Sequence, residues 1–230
     1  MDRIKNKLIK IFQLLNLIIN FLTKNSFDEV KLIKTLKDNA VVFDIGSNQG
    51  LFLSLVCKNS KNKSFDLHSF EPIAELLENQ ISIVKKTNHK LFSNQLAVSS
   101  KEGDATFYLR EINSQSSLNS THFLNSDLKT IQIEVQTISL DRYCEKNKID
   151  FIHLLKIDTE GSDLEILESG KALFESSRIK YIKIEINYSN KNILKILSFL
   201  YKHNFKLLGI LNQKYLKNEL VMFDAYFENV

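Results

Sequence analysis

Residues 40–50 constrain the fold of this chain more than any other stretch. They begin with the apolar run AVVF, continue through an acid, Asp44, and end in a turn that contains Gly46 and Gly50. Continuous apolar residues are typical of a strand that is buried on both faces of a parallel sheet. Residues 51–56 then have helical character, and glycines allow a sharp turn and close approach of a ligand. The stretch predicts a strand, a tight turn and a helix whose first amides attract a polar group.

A second acid stands at the distance that nucleotide-binding units require. Glu71 ends an apolar strand predicted at 65–70 and lies 21 residues beyond Gly50. In nucleotide-binding βαβ units, an acid that binds the ribose follows the glycine turn by about 20 residues. The two features together favour nucleotide binding over an ordinary strand-to-helix turn, which the glycine motif alone leaves open.

Strand and helix patterns alternate along the rest of the chain, which predicts a parallel sheet covered on both faces. Helices are predicted at 27–37, from Pro72 in a first turn to residue 88, around Cys144, up to a C-terminal cap at Gly170, and at 190–203. Core strands are predicted at 40–45, 65–70, 90–98, 151–158 and 179–186.

The last two strands and the two strands between residues 105 and 138 are predicted to differ from the buried parallel strands. The last two, at 205–211 and 220–227, are joined by a link too short for a parallel crossover, so they should be antiparallel. Alternating residues predict an antiparallel edge strand at 105–109 and a half-exposed strand at 131–138. Between them, the Ser- and Asn-rich stretch 111–126 predicts an exposed loop that covers the acceptor.

Composition and charge exclude several classes of protein. A hydrophobic content of 43% supports a sizeable core, and two cysteines are too few for a disulfide framework, as in a cytosolic protein. The net charge of +4 resides in residues 1–24, which carry five basic residues and one acid, so the remainder is formally neutral. A neutral domain argues against nucleic acid as the substrate.

Residues 1–24 predict an amphipathic helix with an apolar stripe from Ile4 to Leu22. It is too short and polar for a membrane span. Packing on the domain or on a second subunit, as in a homodimer, is favoured. Attachment to the inner membrane surface through the basic flank and a targeting peptide remain open. We therefore divide the chain into N-terminal helices at 1–39 and a main domain at 40–230.

Four acids follow or end predicted strands: Asp44, Glu71, Asp158 and Glu185. In open α/β sheets, ligands bind at the carboxyl edge of the strands. Each acid alone is compatible with a solvated turn or a helix cap. Their joint recurrence favours a ligand site at this edge.

Several sequence blocks, in this order, resemble the FkbM family of class I methyltransferases. They are VFDIGSNQG at 42–50, FEP at 70–72, AVS at 97–99, TISLD at 137–141 and LKIDTEG at 155–161. The resemblance covers about residues 40–187. It implies a Rossmann-like α/β fold with seven strands, mostly parallel with an antiparallel last strand. It also implies transfer of a methyl group from S-adenosylmethionine to a hydroxyl of a sugar, glycan or related metabolite.

Beside this resemblance, roles can be predicted for individual residues. Gly46, Ser47 and Gly50 should let the backbone approach the amino-acid part of the cofactor, while Asp44 orients its amine. Glu71 should accept hydrogen bonds from both ribose hydroxyls. The complete predicted cofactor set is Asp44, Gly46, Ser47, Asn48, Gly50, Glu71, Pro72, Gln95 and Ala97, the last two near the adenine.

Asp158 is the predicted catalytic residue, as a base or as a metal ligand. An alcohol is a weak nucleophile, so a base or a cation must help to remove its proton. Asp158, Glu185 and Asn187 offer the oxygen ligands that magnesium prefers, although we predict no dedicated metal site. Glu160 should favour a helix N-terminus, and His122 and His153 are predicted to be structural rather than bases.

Two other functions compete with methyl transfer. A non-catalytic binding protein or membrane-associated scaffold on the same fold would lack cofactor binding. An NAD-dependent oxidoreductase would require the fuller G-x-G-x-x-G pattern, which the turn after Asp44 lacks. The sequence does not identify the acceptor.

Overall fold

The computed structural model describes residues 27–60, 62–110, 116–117, 130–159, 161–187, 192–216 and 218–230. The predicted helix at 1–24 lies outside these residues, so its packing and the division of the chain at residue 40 stay predictions. None of the helices among the described residues is long and apolar enough to cross a membrane.

Seven helices are present in the described residues. They are α1 (Glu29–Thr35), α2 (Leu51–Asn59), α3 (Ala74–Val84), α4 (Leu140–Asn147), α5 (Asp163–Ser169), α6 (Lys171–Glu175) and α7 (Ile193–Lys202). Gly170 caps the C-terminal end of α5, as predicted. Helix α3 begins later than predicted, because Ile73 is its N-cap and Pro72 precedes that cap. The placement of Pro72 in the first turn is therefore wrong.

The main sheet contains seven strands of the described chain and confirms the predicted fold class. They are β1 (Val41–Ile45), β2 (Asp66–Phe70), β3 (Lys90–Asn94), β8 (Ile152–Ile157), β9 (Ile179–Asn187), β10 (Phe205–Leu216) and β11 (Glu219–Asn229), in the order β10-β11-β9-β8-β1-β2-β3. Strands β1, β2, β3, β8 and β9 are mutually parallel, whereas β11 is antiparallel to both of its neighbours.

A second, smaller sheet corrects three predictions. It comprises β4 (Ala97–Val98), β5 (Gly103–Arg110), β6 (Ser116–Ser117) and β7 (Thr130–Ile138), in the order β4-β7-β5-β6. The single strand predicted at 90–98 is two strands, because β4 leaves the main sheet and pairs with β7. Strand β5 lies between β7 and β6 rather than at an edge, and β6 falls within the predicted loop at 111–126.

The main sheet is covered on both faces, as the alternation of strands and helices predicts. Helices α4 to α7 pack on one face, around Phe43, Leu155 and Ile157. Helices α1 to α3 pack on the other face, where Val42 and Leu154 are buried. Because β1 and β8 are buried on both sides, polar groups within them need partners inside the fold.

Candidate active site

Asp44 and Lys156 are neighbouring residues of β1 and β8 and form a buried ion pair near the carboxyl edge. The two residues are register partners, and Asp44 is fully buried. The Lys156 ammonium lies 3.0 Å from Asp44 Oδ1 and 3.5 Å from Asp158 Oδ2. It also donates a hydrogen bond of 2.7 Å to the carbonyl oxygen of Gly46. One side chain thus joins β1, the turn after it and the loop after β8.

The opposite charges of Lys156 and its acidic neighbours oppose the effect of burial on the pKa values of Lys156 and Asp44. Burial alone would lower the pKa of Lys156, but the negative charges of Asp44 and Asp158 outweigh it, so the pKa is raised. Burial raises the pKa of the Asp44 carboxyl, and the Lys156 ammonium opposes that rise. A raised lysine pKa means that Lys156 carries its charge inside the fold at neutral pH.

The turn between β1 and α2 requires glycine at two positions. Gly46 has φ +69°, and a Cβ there would overlap the carbonyl oxygen of Asp158. Gly50 has φ +79° and is the N-cap of α2. A Cβ on Gly50 would meet side-chain atoms of Ile83 and Gln80 at 3.0 and 3.3 Å. The first glycine brings the turn against the Asp158 loop, and the second allows the turn to fit against α3.

Glu71 holds this turn to the start of α3. Its Oε2 accepts a hydrogen bond of 2.9 Å from the amide of Asn48, and its Oε1 accepts one of 3.0 Å from the amide of Ile73. Gln80 Nε2 donates to the carbonyl oxygen of Asn48 at 2.7 Å. Burial raises the pKa of Glu71, while the two amides oppose that change. Five predicted residues, Asp44, Gly46, Asn48, Gly50 and Glu71, therefore belong to one connected region.

The other four residues of the predicted cofactor set are Ser47, Pro72, Gln95 and Ala97. Ser47 is buried, and its hydroxyl donates to the carbonyl oxygen of Phe70 at 3.3 Å. Pro72 is buried next to Glu71. Gln95 is exposed beyond β3, and Ala97 belongs to the core of the small sheet with Phe107 and Val135. Ile73, whose amide binds Glu71, packs against this small-sheet core.

Asn94 ends β3, directly before the residues predicted to lie near the adenine, and several hydrogen bonds hold it in place. Its carbonyl oxygen accepts a hydrogen bond of 3.1 Å from the amide of Glu71. Its side-chain amide donates to the carbonyl oxygens of Ser69 and Phe92, both at 2.9 Å. The Tyr143 hydroxyl lies 3.2 Å from Asn94 Oδ1 and donates to it. Asn94 thus connects the end of β3 to Glu71 and to α4.

Asp158 is the more exposed of the two acids that contact Lys156, with a side chain that is 38% exposed. The residue after it, Thr159, donates its hydroxyl hydrogen to Asp163 Oδ1 at 3.1 Å. Asp163 is buried at the start of α5, and burial raises its pKa to about 6 although the Thr159 hydroxyl opposes that rise. Asp163 therefore fixes the loop that carries Asp158.

The remaining candidates fall into three groups. Glu185 and Asn187 are on β9, and Glu185 pairs in register with Asp224. His153 accepts a hydrogen bond from the amide of Val41, at the opposite end of β1 from the turn, which is a structural contact. Glu160 and His122 lie outside the described residues. No group of three or more His, Cys, Asp or Glu side chains among the described residues is placed to hold a metal ion.

Lys156 is the residue that sequence reasoning missed. It lies in the quoted block LKIDTEG, but that reasoning gave it no role. The available signal was a single charge in LLKI, the otherwise apolar last four residues of β8, because a buried charge requires a partner. That partner is Asp44, one strand away.

A family model for the methyltransferase FkbM domain matches residues 44–207. This range covers more than half of the chain and includes Asp44, Glu71, Lys156 and Asp158. The chain belongs to the FkbM methyltransferase family. The resemblance of the sequence blocks to this family is confirmed.

Two relatives place this FkbM domain among known proteins. Hexuronic acid methyltransferase AglP from Haloferax volcanii is 23% identical over 167 residues, which cover 73% of this chain and 65% of that protein. The crystal structure of methyltransferase FkbM from Methylobacillus flagellatus matches with a TM-score of 0.52 and 12% identity. That match covers 91% of this chain and 57% of the other, and it shows a shared fold. The chain thus spans less than two thirds of the length of both relatives.

The contact between Gly46 and Asp158 predicts a large effect of a single methyl group. Gly46→Ala should lower the free energy of unfolding by about 3 kcal/mol or more, because the Cβ overlaps a backbone oxygen and φ is positive. Gly103→Ala is the matched control, since Gly103 also has a positive φ but open space around its Cβ position, and it should lose only about 1–3 kcal/mol. Equal losses in urea unfolding would show that the turn does not press against Asp158.

The raised pKa of Asp163 predicts a pH-dependent stability difference. Between its usual pKa and about 6, the native carboxyl binds more protons than the unfolded one, so it reduces stability as pH rises. Asparagine does not titrate. The free energy of unfolding of Asp163→Asn relative to the wild type should therefore increase by about 2–3 kcal/mol between pH 4 and 7. A decrease over this range in urea titrations would mean that the fold stabilises the ionised form.

Proposed function

We propose that this protein is an S-adenosylmethionine-dependent O-methyltransferase that acts on a hydroxyl of a sugar or glycan. One observation carries the proposal. Asp44 is fully buried, and neither of its carboxylate oxygens has a hydrogen-bond partner among the described residues, although Oδ1 is 3.0 Å from the Lys156 ammonium. A buried carboxylate oxygen without a partner is costly unless a ligand supplies a donor. The amine of S-adenosylmethionine is a suitable donor, so these residues fit that cofactor.

The other residues of the turn suit the rest of the cofactor. Gly46 and Gly50 give the turn its left-handed backbone and its close packing, which places the backbone around Ser47 where the amino-acid part of the cofactor would bind. Each oxygen of Glu71 already accepts one amide, and a carboxylate has about four acceptor sites in total. Glu71 therefore retains the capacity to accept hydrogen bonds from ribose hydroxyls. Asn48, Pro72, Gln95 and Ala97 stay proposed cofactor contacts.

The chemistry requires little more than alignment of the acceptor. S-adenosylmethionine supplies a methyl group that its sulfonium already activates. The protein must hold the acceptor hydroxyl in line with that group and exclude water. Asp158 lies 3.5 Å from the ammonium that binds Asp44, and its partly exposed carboxylate can accept the hydroxyl proton.

The acceptor class rests on family membership and on the hexuronic acid methyltransferase among the relatives. The relative supports a sugar as the acceptor, and the choice of a hydroxyl follows the resemblance of the sequence blocks to the family. The formally neutral charge of residues 25–230 disfavours a nucleic acid. Magnesium is not part of the proposal, because the described residues offer no cluster of ligands for it. A homodimer and contact with the membrane through residues 1–24 stay predictions.

Cofactor binding is tested by isothermal titration calorimetry. The wild type should bind S-adenosylmethionine and S-adenosylhomocysteine. Glu71→Ala should weaken binding by about 1–3 kcal/mol through loss of charge-assisted hydrogen bonds. The control Glu75→Ala removes an exposed acid from the first turn of α3 and should bind as the wild type does. Tight binding of NAD without a response to either methyl-cofactor form would contradict the proposal.

The role of Asp158 is tested by measuring turnover on a panel of neutral and uronic acid glycosides. The assay detects the S-adenosylhomocysteine that is released. Asp158→Asn should lower kcat by about 10²–10⁴-fold and leave cofactor affinity nearly unchanged, because the residue acts on the acceptor. Asp150→Asn changes a fully exposed acid just before β8 and serves as the control. Loss of activity in EDTA that magnesium restores would make Asp158 a metal ligand, whereas full activity of Asp158→Asn would make it structural.

A further inference from the structure

The Lys156 ammonium is shared by three separate parts of the proposed site. It donates hydrogen bonds to the carbonyl oxygens of Gly46 at 2.7 Å and Ile45 at 3.4 Å, and it forms ion pairs with Asp44 Oδ1 at 3.0 Å and Asp158 Oδ2 at 3.5 Å. The side chain is only 5% exposed. Water therefore cannot replace one of these contacts without entry into the core.

The three partners have different roles in the proposed function. Asp44 lies on the cofactor side, Gly46 shapes the turn that approaches the cofactor, and Asp158 lies on the acceptor side. Resting on that proposed function, we propose that Lys156 is a positioning residue that sets the orientation of both acids through a single ammonium. It occupies Asp44 Oδ1 and so leaves Oδ2 for the cofactor amine. It also holds one oxygen of Asp158 and leaves the other for the acceptor.

A second buried lysine provides an internal comparison. Lys183 is the register partner of Lys156 on β9, and its ammonium also binds two acids, Glu29 at 3.0 Å and Asp224 at 3.1 Å. Its side chain is 12% exposed. These acids join β9 to α1 and β11, and none of the three residues belongs to the proposed cofactor or acceptor contacts. Lys183 thus resembles Lys156 in its burial and in its pairing with two acids, but the acids that it binds are not part of the proposed site.

The difference between the two lysines separates a positioning role from a structural one. Without Lys156, Asp44 and Asp158 face each other without the cation between them, and like charges in a buried site repel. Asp44 loses its fixed orientation and Asp158 loses its anchor, so both cofactor affinity and turnover should fall. Without Lys183, the fold loses a comparable ion network and Asp44 loses the smallest of the charges that lower its pKa, but we expect the contacts of Lys156 with Asp44, Gly46 and Asp158 to stay in place.

The test compares Lys156→Met with Lys183→Met in the full chain, at a temperature where circular dichroism shows both folded. Lys156→Met should bind S-adenosylhomocysteine at least about tenfold more weakly and lower kcat about 100-fold, since misplacement by about 1 Å has effects of that size. Lys183→Met should lower the melting temperature but change affinity and kcat by less than about threefold. A folded Lys156→Met that behaves as Lys183→Met does would overturn the proposal.

Double-mutant cycles identify the groups through which Lys156 acts. The effect of Lys156→Met on kcat should largely disappear in an Asp158→Asn background, and its effect on cofactor affinity should shrink in an Asp44→Asn background. Fully additive effects in both backgrounds would show that Lys156 acts elsewhere.

If Lys156→Met does not fold, Lys156→Arg keeps the charge with a longer, planar group, and it should lower kcat at least about tenfold. Wild-type kcat in Lys156→Arg would then overturn the proposal. If the wild type itself does not bind S-adenosylhomocysteine, the proposed function fails, which is a different result from a silent Lys156 variant.

Discussion

The buried ion pair of Asp44 and Lys156 is the interaction on which the rest of this site depends. Two charges inside a sheet that is covered on both faces would be strongly unfavourable if either stood alone. The pair is favourable only while the two strands keep their register and the Gly46 carbonyl oxygen accepts a hydrogen bond from the Lys156 ammonium. The position of the turn after β1 is thereby coupled to the position of the loop after β8. The same constraint that satisfies a buried charge therefore brings the two sides of the candidate site together.

Around this pair, backbone contacts complete the site. The lack of a side chain at Gly46 lets the turn lie directly against the carbonyl of Asp158, and Glu71 binds the amides of Asn48 and Ile73. Each contact connects a loop at the carboxyl edge to another loop at that edge. Asp163 extends the arrangement by holding Thr159 from the start of α5. These contacts hold the loops of this edge relative to one another, which suits a reaction that depends on alignment.

The sequence predicts the local parts of this arrangement better than the long-range ones. Gly46, Gly50 and Glu71 could be found because a turn with positive φ and an acid at a fixed spacing leave a pattern in the residues themselves. The break between β3 and β4 could not, because the 90–98 stretch reads as one strand and only pairing with Thr137 and Ile138 separates it. The partnership of Lys156 with Asp44 depends on sheet register over more than a hundred residues, which no local pattern encodes.

The most direct test of this account is a crystal structure of the full chain with S-adenosylhomocysteine. The account predicts that the amine of the ligand lies within hydrogen-bond distance of Asp44 Oδ2, that Glu71 accepts hydrogen bonds from the ribose, and that the sulfur faces Asp158. Lys156 should still contact Asp44, Gly46 and Asp158 in that complex. A ligand bound away from the turn after β1, or an Asp44 Oδ2 that stays buried without a partner beside the bound ligand, would contradict it.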